Sequence, residues 1–409
     1  MHYDLIVIGM GLSGLMAAKT AAEAGEKVFI IGKGMGSLCL FSNTIDVLGQ
    51  LPDGIEMKEG LSRWVGERPN HPYSKVGVEK IEQALSSFLS LFPPPYSFQT
   101  IDNKNCLLRT GAGTLRPTFL IPTTMVGGGS LTKENALIVG FMGFKDFYAH
   151  YVADQLKCRA ISFQLAEDSH QELSATALAR LMERESFREN IGREVKKQLH
   201  GETYVGFPAL LGMYDPIHVK EELEKIIGAS VFEIPILPPS IPGKRIFDRL
   251  KEWLIRKGVT FLLGTSVSNA ILKGRRCEGI EVLHPPVINS YSADRYILAT
   301  GRFIGGGLKA DDEKIFEPIF NLPLFQPESR EGWFRKSFFS DLPHPIYQAG
   351  ILTDSSFRPV DERGDQIFEN VWVAGTILAH HHAIDEKSKE GIEISTGYTA
   401  AKYALGTYK

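Results

Sequence analysis

Cysteine is scarce in this chain: four residues in 409, Cys39, Cys106, Cys158 and Cys277, with no CxxC pair and no Cys/His spacing. That argues against an iron–sulfur cluster or a zinc ion held by this chain alone, and the thiols are expected to be free and buried. An excess of one charge is also lacking. Lys and Arg number 45 against 48 Asp and Glu, a net charge of -3, so composition gives no reason to expect nucleic acid or an acidic membrane surface as a partner. No apolar run approaches the ~20 residues of a membrane-spanning helix, so no direct membrane insertion is expected. The opening residues lack the basic, apolar, small-residue order of a signal peptide, and the expected location is the cytoplasm. With 43% hydrophobic and 23% charged residues, the chain can bury cores in two or three domains.

What is present is a glycine-punctuated N-terminus. Tyr3 to Ile31 reads YDLIVIGMGLSGLMAAKTAAEAGEKVFII: a short apolar strand, a turn carrying Gly9, Gly11 and Gly14 as GxGxxG, an alanine-rich helix from Leu12 to Ala24, and a second apolar strand from Lys27 to Ile31. In this setting the first glycine permits the tight turn, the second lets main chain approach a pyrophosphate, and the third lets helix pack on strand, while the helix start favours an anion. The acidic residue that ordinarily follows the second strand and binds a ribose hydroxyl is absent; Gly32 and Lys33 stand there.

Further along, Ser37 to Gln50 is small and polar, and reads as a loop covering a cofactor, with Ser42, Asn43, Thr44 and Asp46 as hydrogen-bonding candidates. A helix is expected from Val76 to Leu91, stopping before Pro93 to Pro95, and His71 just ahead of it reads as structural. Gly111 to Thr118 and the Gly127 to Ser130 run are turn-rich, and Arg116, within the first and set among glycine, threonine and proline, could clamp a phosphate or carboxylate. Ala136 to Gly140, a helix from Phe144 to Leu156 and a strand near Ile161 suggest a second β-α-β unit. Helices from Ser174 to Leu199 and Ile217 to Ile227 follow, with strands near Tyr204 and Val231. The proline-dense Glu233 to Gly243 reads as a linker. A helix from Lys244 to Arg256, a strand and turn from Val259 to Val267, a hairpin-like pair and the strand and turn ADRYILATG, Ala293 to Gly301, then return to the grammar of the N-terminus.

These motifs in register, with NVWVAG near the end, resemble the flavoprotein oxidoreductases of the fumarate reductase and succinate dehydrogenase type. The chain resembles still more closely the B subunits of anaerobic glycerol-3-phosphate dehydrogenase, over nearly its whole length. FSNTIDVL at Phe41 to Leu48, LPDG at Leu51 to Gly54, HPYS at His71 to Ser74, GTLRPT at Gly113 to Thr118 and LPPS at Leu237 to Ser240 carry that likeness. So do ATGRFIGGGL at Ala299 to Leu308, EPI at Glu317 to Ile319 and the GILTD and RP pieces of Gly350 to Pro359.

The resemblance implies an α/β fold: a Rossmann-like flavin-binding domain with an inserted α/β cap region, expected as 1–60, 61–239 for the cap, and 240–409. It implies a subunit that takes part in oxidising sn-glycerol 3-phosphate to dihydroxyacetone phosphate. Electrons pass toward quinone beside a catalytic A subunit and an iron–sulfur C subunit that docks the complex on the cytoplasmic membrane. The family description gives FMN as the cofactor, whereas GxGxxG, built for a pyrophosphate, argues for FAD.

The flavin-binding set is expected to be Gly9, Gly11, Leu12, Ser13, Gly14, Ser42, Asn43, Thr44, Asp46, Val267, Thr300, Gly301, Gly375, Ser395 and Thr396. Ser395 and Thr396 are placed at the start of a last helix, about Thr396 to Leu405, whose N-terminal donors would face the flavin. Arg116 and Arg302 are the phosphate candidates for substrate, and no catalytic base is assigned. His380, His381 and His382 replace small residues of the family; three neighbours in sequence cannot all point at one ion in regular structure, so they read as solvated or loop histidines and no metal is expected. Two other classes remain open at this point: a self-sufficient fumarate-reductase-type flavoenzyme acting on another small substrate, and a flavin-free structural subunit.

Overall fold

A computed structural model describes residues 2–129, 135–165, 173–284, 287–340 and 342–408. Ser130, at the end of the glycine run, lies outside the described residues. The chain divides into two compact units. One contains Met1–Ser37, Gln50–Leu91 and Phe247–Lys409, the other Leu38–Gly49 and Phe92–Ile246.

The first unit is built on β1 (His2–Ile8), α1 (Leu12–Glu23) and β2 (Val28–Gly32). Leu5 to Ile8 are buried on both faces, as a central strand of a parallel sheet requires. β1 pairs in parallel with β2 on one side and with the long strand Val287–Leu298 on the other, in the register Ile8 to Ile31 and Ile8 to Leu298. Thr260–Leu263 extends the sheet beyond β2, and Val371–Val373 adds a parallel partner to Val287–Leu298. The near half of Val287–Leu298 pairs antiparallel with Arg276–His284, which pairs antiparallel with Val267–Lys273. The sheet therefore reverses its direction of growth at β1, the topological switch point where such folds leave a crevice at the carboxyl ends of their strands.

α1 is buried on every side from Leu12 to Ala21 because the final helix, Lys389–Ala404, packs along it. Their approach is close: a Cβ on Gly397 would stand 2.3 Å from the Ser13 carbonyl oxygen. The amphipathic helix Val78–Leu89 lies against the same final helix. That packing is why residues 61–91 fall in this unit, whereas the sequence reading put 61 onward in the inserted region.

The second unit holds a four-stranded parallel sheet in the order Ser230–Ile234, Tyr204–Pro208, Ala136–Phe141, Arg159–Phe163. Its core gathers Leu137 to Val139, Phe207, Phe232 and the apolar faces of the surrounding helices. The expected β-α-β unit is present, with the helix shortened to Ala149–Leu156. The single helix expected over Ser174 to Leu199 is two, Ala175–Met182 and Glu185–Lys197. The break is held by Arg188, whose guanidinium donates to the Met182 and Glu183 carbonyls at 3.0 and 2.6 Å, satisfying the carbonyls that a helix end leaves open. The expected linker Glu233 to Gly243 shrinks between the strand ending at Ile234 and the helix Ile241–Arg256. Leu38–Gly49 belongs here because Ile45 bridges to Leu120.

All four cysteines are free, as expected, but Cys277 alone is buried and the other three are half-buried. Burial raises the thiols of Cys106, Cys158 and Cys277 to about 11, so they are poor nucleophiles near neutrality. No helix among the described residues is long and apolar enough to cross a membrane.

Candidate functional site: a nucleotide cradle at the strand ends

Every parallel strand of the first sheet ends at one edge, so the turns after Ile8, Gly32, Leu298 and Val373 share that edge. Gly9 leaves β1 at φ +120°, and a Cβ there would come 2.2 Å from the Ala299 oxygen. Gly14 is pressed on the same turn, since its Cβ would meet the Gly9 oxygen at 2.0 Å. Only glycine satisfies both positions. Gly11 differs: a Cβ there meets nothing within 4 Å. It is the N-cap of α1 and offers no side-chain cap, so open space lies in front of helix N–H groups of the kind that bind phosphate. Leu12 is fully buried in the first turn of α1. Ser13, beside it, buries a hydroxyl oxygen that finds no partner among the described residues.

The turn after Val287–Leu298 supplies the neighbouring wall. Thr300 Oγ1 is buried and without a partner among the described residues, and Gly301 has φ +69°. The turn closes with Gly306 N–H donating to the Phe303 carbonyl and Gly307 N–H to the Arg302 carbonyl. Lys33 reaches this turn: a methyl on Gly306 would lie 3.4 Å from its Nζ. The ribose position thus carries an exposed ammonium where a carboxylate is usual. Open space before uncapped helix donors, buried hydroxyls without partners and a nearby cation form a donor set that fits the phosphates of a flavin nucleotide.

The last helix corrects the sequence reading. It begins at Lys389, so Ser395, Thr396 and Gly397 sit in its interior and their main-chain N–H groups are not helix-start donors. The earlier start is stabilised by Lys389, buried, whose ammonium contacts Glu390 at 3.0 Å and Glu393 at 3.1 Å. Thr396 acts instead through its side chain, accepting the Gly375 N–H at 2.8 Å and donating to the Ile392 carbonyl. It pins the turn after Val371–Val373, where Gly375 has φ +86° and lies against Ser13. Ser395 Oγ is buried without a partner among the described residues. Ser37 donates to Glu393 Oε1 at 3.0 Å. Burial raises the Glu393 carboxyl above its usual range, with Lys389 opposing and Glu390 adding to the shift; two carboxyls share one ammonium. Val267, also in this unit, is the buried first residue of its strand, opposite Val282.

Four of the expected flavin-binding residues, and Arg116, lie in the second unit. Asn43, at φ +55°, directs its amide to the Leu38 and Phe41 carbonyls and to Ser240 Oγ. Ser42 and Thr44 share a hydroxyl contact at 3.2 Å, and Thr44 donates to Asp46 Oδ1. Asp46, buried, is paired with Arg116, whose Nε donates to Oδ2 at 2.8 Å with Nη2 alongside. The guanidinium expected to meet a phosphate therefore already faces a carboxylate.

Arg302 is placed differently. It is half-buried and meets no carboxylate: Nη1 donates to the Tyr347 carbonyl, and Nη2 to the Leu378 and His381 carbonyls at 2.9 and 3.1 Å and to the His381 ring at 3.3 Å. Burial brings its guanidinium down to about 10, with Glu386 opposing. Around it stand the histidines. His381 and His382 are buried, contrary to the reading of solvated side chains; His380 is half-buried, at φ +65°, with its ring 4.3 Å from Phe325. His71 is structural as expected: Nδ1 accepts the Tyr73 N–H, and Nε2 meets Glu386 Oε2 at 3.2 Å. Glu386 also accepts the His382 N–H and the Ser388 hydroxyl. Burial works to raise its carboxyl, but the His71 and other hydrogen bonds carry it below the usual range. Among the described residues no group of His, Cys, Asp and Glu could hold a metal ion.

Sequence reasoning missed the Lys389 ammonium and the burial of His381 and His382. The i,i+4 spacing of Lys389 and Glu393 signalled the first; nothing local signalled the second.

Residues 4–392 match the FAD binding domain family, and the class this defines is the flavin-dependent oxidoreductases. The chain is 31% identical to the B subunit of a probable anaerobic glycerol-3-phosphate dehydrogenase from Halobacterium salinarum, over 98% of this chain and 97% of that one. It is also 31% identical to the B subunit of the anaerobic glycerol-3-phosphate dehydrogenase of Vibrio cholerae, over 100% and 98%. It belongs to this family of B subunits. Among solved structures, the open conformation of a flavocytochrome c3 fumarate reductase aligns with 99% of this chain and 79% of that one, at TM-score 0.45 and 10% identity, a likeness too loose to bear on the site.

Proposed function

We propose that this chain is the FAD-carrying subunit of an anaerobic glycerol-3-phosphate dehydrogenase. In this reading it passes electrons between a catalytic A subunit and an iron–sulfur C subunit, toward quinone, with the C subunit holding the complex at the inner face of the cytoplasmic membrane. The observation that carries the reading is the cradle of Gly9, Gly11 and Gly14 at the sheet's switch point, in a chain akin to named B subunits over nearly its full length.

FAD is preferred to the FMN of the family description. The open space before the start of α1 suits a pyrophosphate, and the family matched is one of FAD binding. Lys33 takes the place of the usual acidic residue, so the adenosine side would be held by a cation near its phosphates rather than by a carboxylate on its ribose. When bound, the flavin supplies the electron-accepting chemistry. The residues of the chain hold and orient it: Gly11, Leu12 and Ser13 at the phosphates, Thr300 and Gly301 beside them, and Thr396 by fixing Gly375. Val267 and Ser395 complete the proposed contact set within this unit.

The test is a dye-linked assay with glycerol 3-phosphate on the purified chain, alone and mixed with its partner subunits. Little turnover alone and restored turnover in the mixture are expected. Full turnover alone would contradict the relay and make this chain the catalytic subunit.

A further inference from the structure

Two imidazoles near the Gly301–Gly307 turn have their tautomers set by their neighbours. His382 Nδ1 accepts the main-chain N–H of Asp385 at 2.9 Å; a peptide N–H only donates, so the ring proton is on Nε2. His381 Nδ1 lies 3.3 Å from Arg302 Nη2, and a guanidinium likewise only donates, so this ring too carries its proton on Nε2. Both Nε2 atoms are buried and find no acceptor among the described residues, and the same holds for Arg302 Nε. The three residues are linked: Arg302 joins His381 directly and reaches the Tyr347 carbonyl, and the Tyr347 ring stands edge-on to His382 at 4.7 Å. A buried donor without an acceptor costs about 1–3 kcal/mol, so three in one linked group point to an acceptor that the chain itself does not supply.

The surrounding charges nearly balance, Glu386 and Asp385 against Arg302 and Lys75, so an anion is admitted through the unanswered donors rather than drawn by net charge. Glu386 is engaged by His71, Ser388 and the His382 main chain. Asp385 accepts from Gln50, and Asp354 is paired with Arg358. Against these stand Arg302 and Lys75, whose ammonium donates to the Thr353 carbonyl and hydroxyl and lies within the field of Asp354. Burial, then Arg302 and His71, hold His381 well below the usual imidazole range, and burial lowers His382 as well, so both rings stay neutral donors near pH 7.

We propose that Arg302, His381 and His382 form a binding site for the phosphate group of a small ligand, a phosphate monoester or free phosphate. A phosphate offers three peripheral oxygens to three separated donors, whereas a carboxylate offers two. The site is built on the strand edge that carries the nucleotide cradle: Arg302 follows Thr300 by two positions, and His381 follows Gly375 by six. It goes beyond the relay reading, which needs no small-molecule site in this chain.

The experiment is calorimetric titration of the flavin-loaded protein with glycerol 3-phosphate, inorganic phosphate, glycerol and succinate. It is repeated on His381→Gln, His381→Met, His382→Gln and His382→Met, since glutamine returns an N–H near the position of Nε2 and methionine does not. Phosphate-bearing probes are expected to bind and glycerol to fail, with roughly tenfold loss in each Met variant and recovery in each Gln variant. Met variants that bind as wild type does, or absence of binding by both phosphate probes, would overturn the site. Tighter binding of glycerol 3-phosphate than of inorganic phosphate supports a substrate site; equal binding supports a free-phosphate site and counts against glycerol 3-phosphate as this chain's own ligand. Nitrogen-15 spectra of histidine-labelled wild type provide a reading independent of variant folding: the Nε2–H tautomer at both rings is expected, and the Nδ1–H tautomer would overturn the assignment.

Discussion

Two arginines, Arg245 in the second unit and Arg302 in the first, show how alike residues serve different ends. Arg245 is buried and fully answered: Nη1 and Nη2 donate to the two oxygens of Glu233, each at 2.8 Å, and Nε and Nη2 donate to the Gly212 carbonyl. Glu233 in turn accepts from Thr124 and from the Leu211 N–H. Burial would raise the Glu233 carboxyl, yet Arg245 and these donors carry it below the usual range. Arg302 is met only by carbonyls and an imidazole, and its Nε finds no acceptor. A cation whose hydrogen bonds are complete fixes a fold; one held in position with donors left over is available to a ligand.

The sharpest way to break this comparison is to remove one partner of the complete pair. Arg245→Met should destabilise the second unit by about 3–5 kcal/mol, because it leaves the Glu233 carboxylate buried and unpaired. Removing both, as Arg245→Met with Glu233→Leu, should cost less than the single change. Urea unfolding of the three proteins checks both statements, and additive losses would refute the idea of a self-contained pair. For Arg302→Met the expected destabilisation is smaller, about 1–3 kcal/mol for the carbonyls that lose a donor, and thermal unfolding measures it. A loss as large as that of Arg245→Met would place Arg302 among the structural residues.

The smallest effect concerns Glu393, where two carboxyls share the Lys389 ammonium. A carboxyl raised in the folded state binds its proton more tightly there than in the unfolded chain. Its contribution is therefore fully present below the unfolded value and lost as pH rises through the folded one. Glu393→Gln should accordingly stabilise the protein at pH 7.5, and the gap should narrow on acidification toward pH 4. Melting curves at a series of pH values read this directly; a gap that widens on acidification would mean that Glu393 is held ionised.

The parts of the fold legible in the sequence are those whose cause is local. β1, α1 and β2 follow from an apolar run, three glycines and an alanine-rich stretch; α1 and β2 match the structure within a residue at each end, while β1 starts earlier, at His2. The final helix was placed too late because Ser395, Thr396 and Gly397 look like a turn. Its true start depends on burying Lys389 between two glutamates, and Gly397 is present for contact with Ser13 rather than to end anything. His381 and His382 read as solvated because three adjacent polar residues ordinarily are. Their burial depends on Arg302 and Tyr347, distant in sequence. Arg116 invited a ligand role for the opposite reason, since the carboxylate that meets it, Asp46, is 70 positions away.

The central claim is that this chain carries FAD in the cradle at the edge of its first sheet. Protein purified without added cofactor should absorb as a flavoprotein, and chromatography of the chromophore released on denaturation should give FAD in near one-to-one ratio with the chain. FMN alone would contradict the pyrophosphate cradle, and colourless, folded protein from every preparation would contradict the flavoprotein itself.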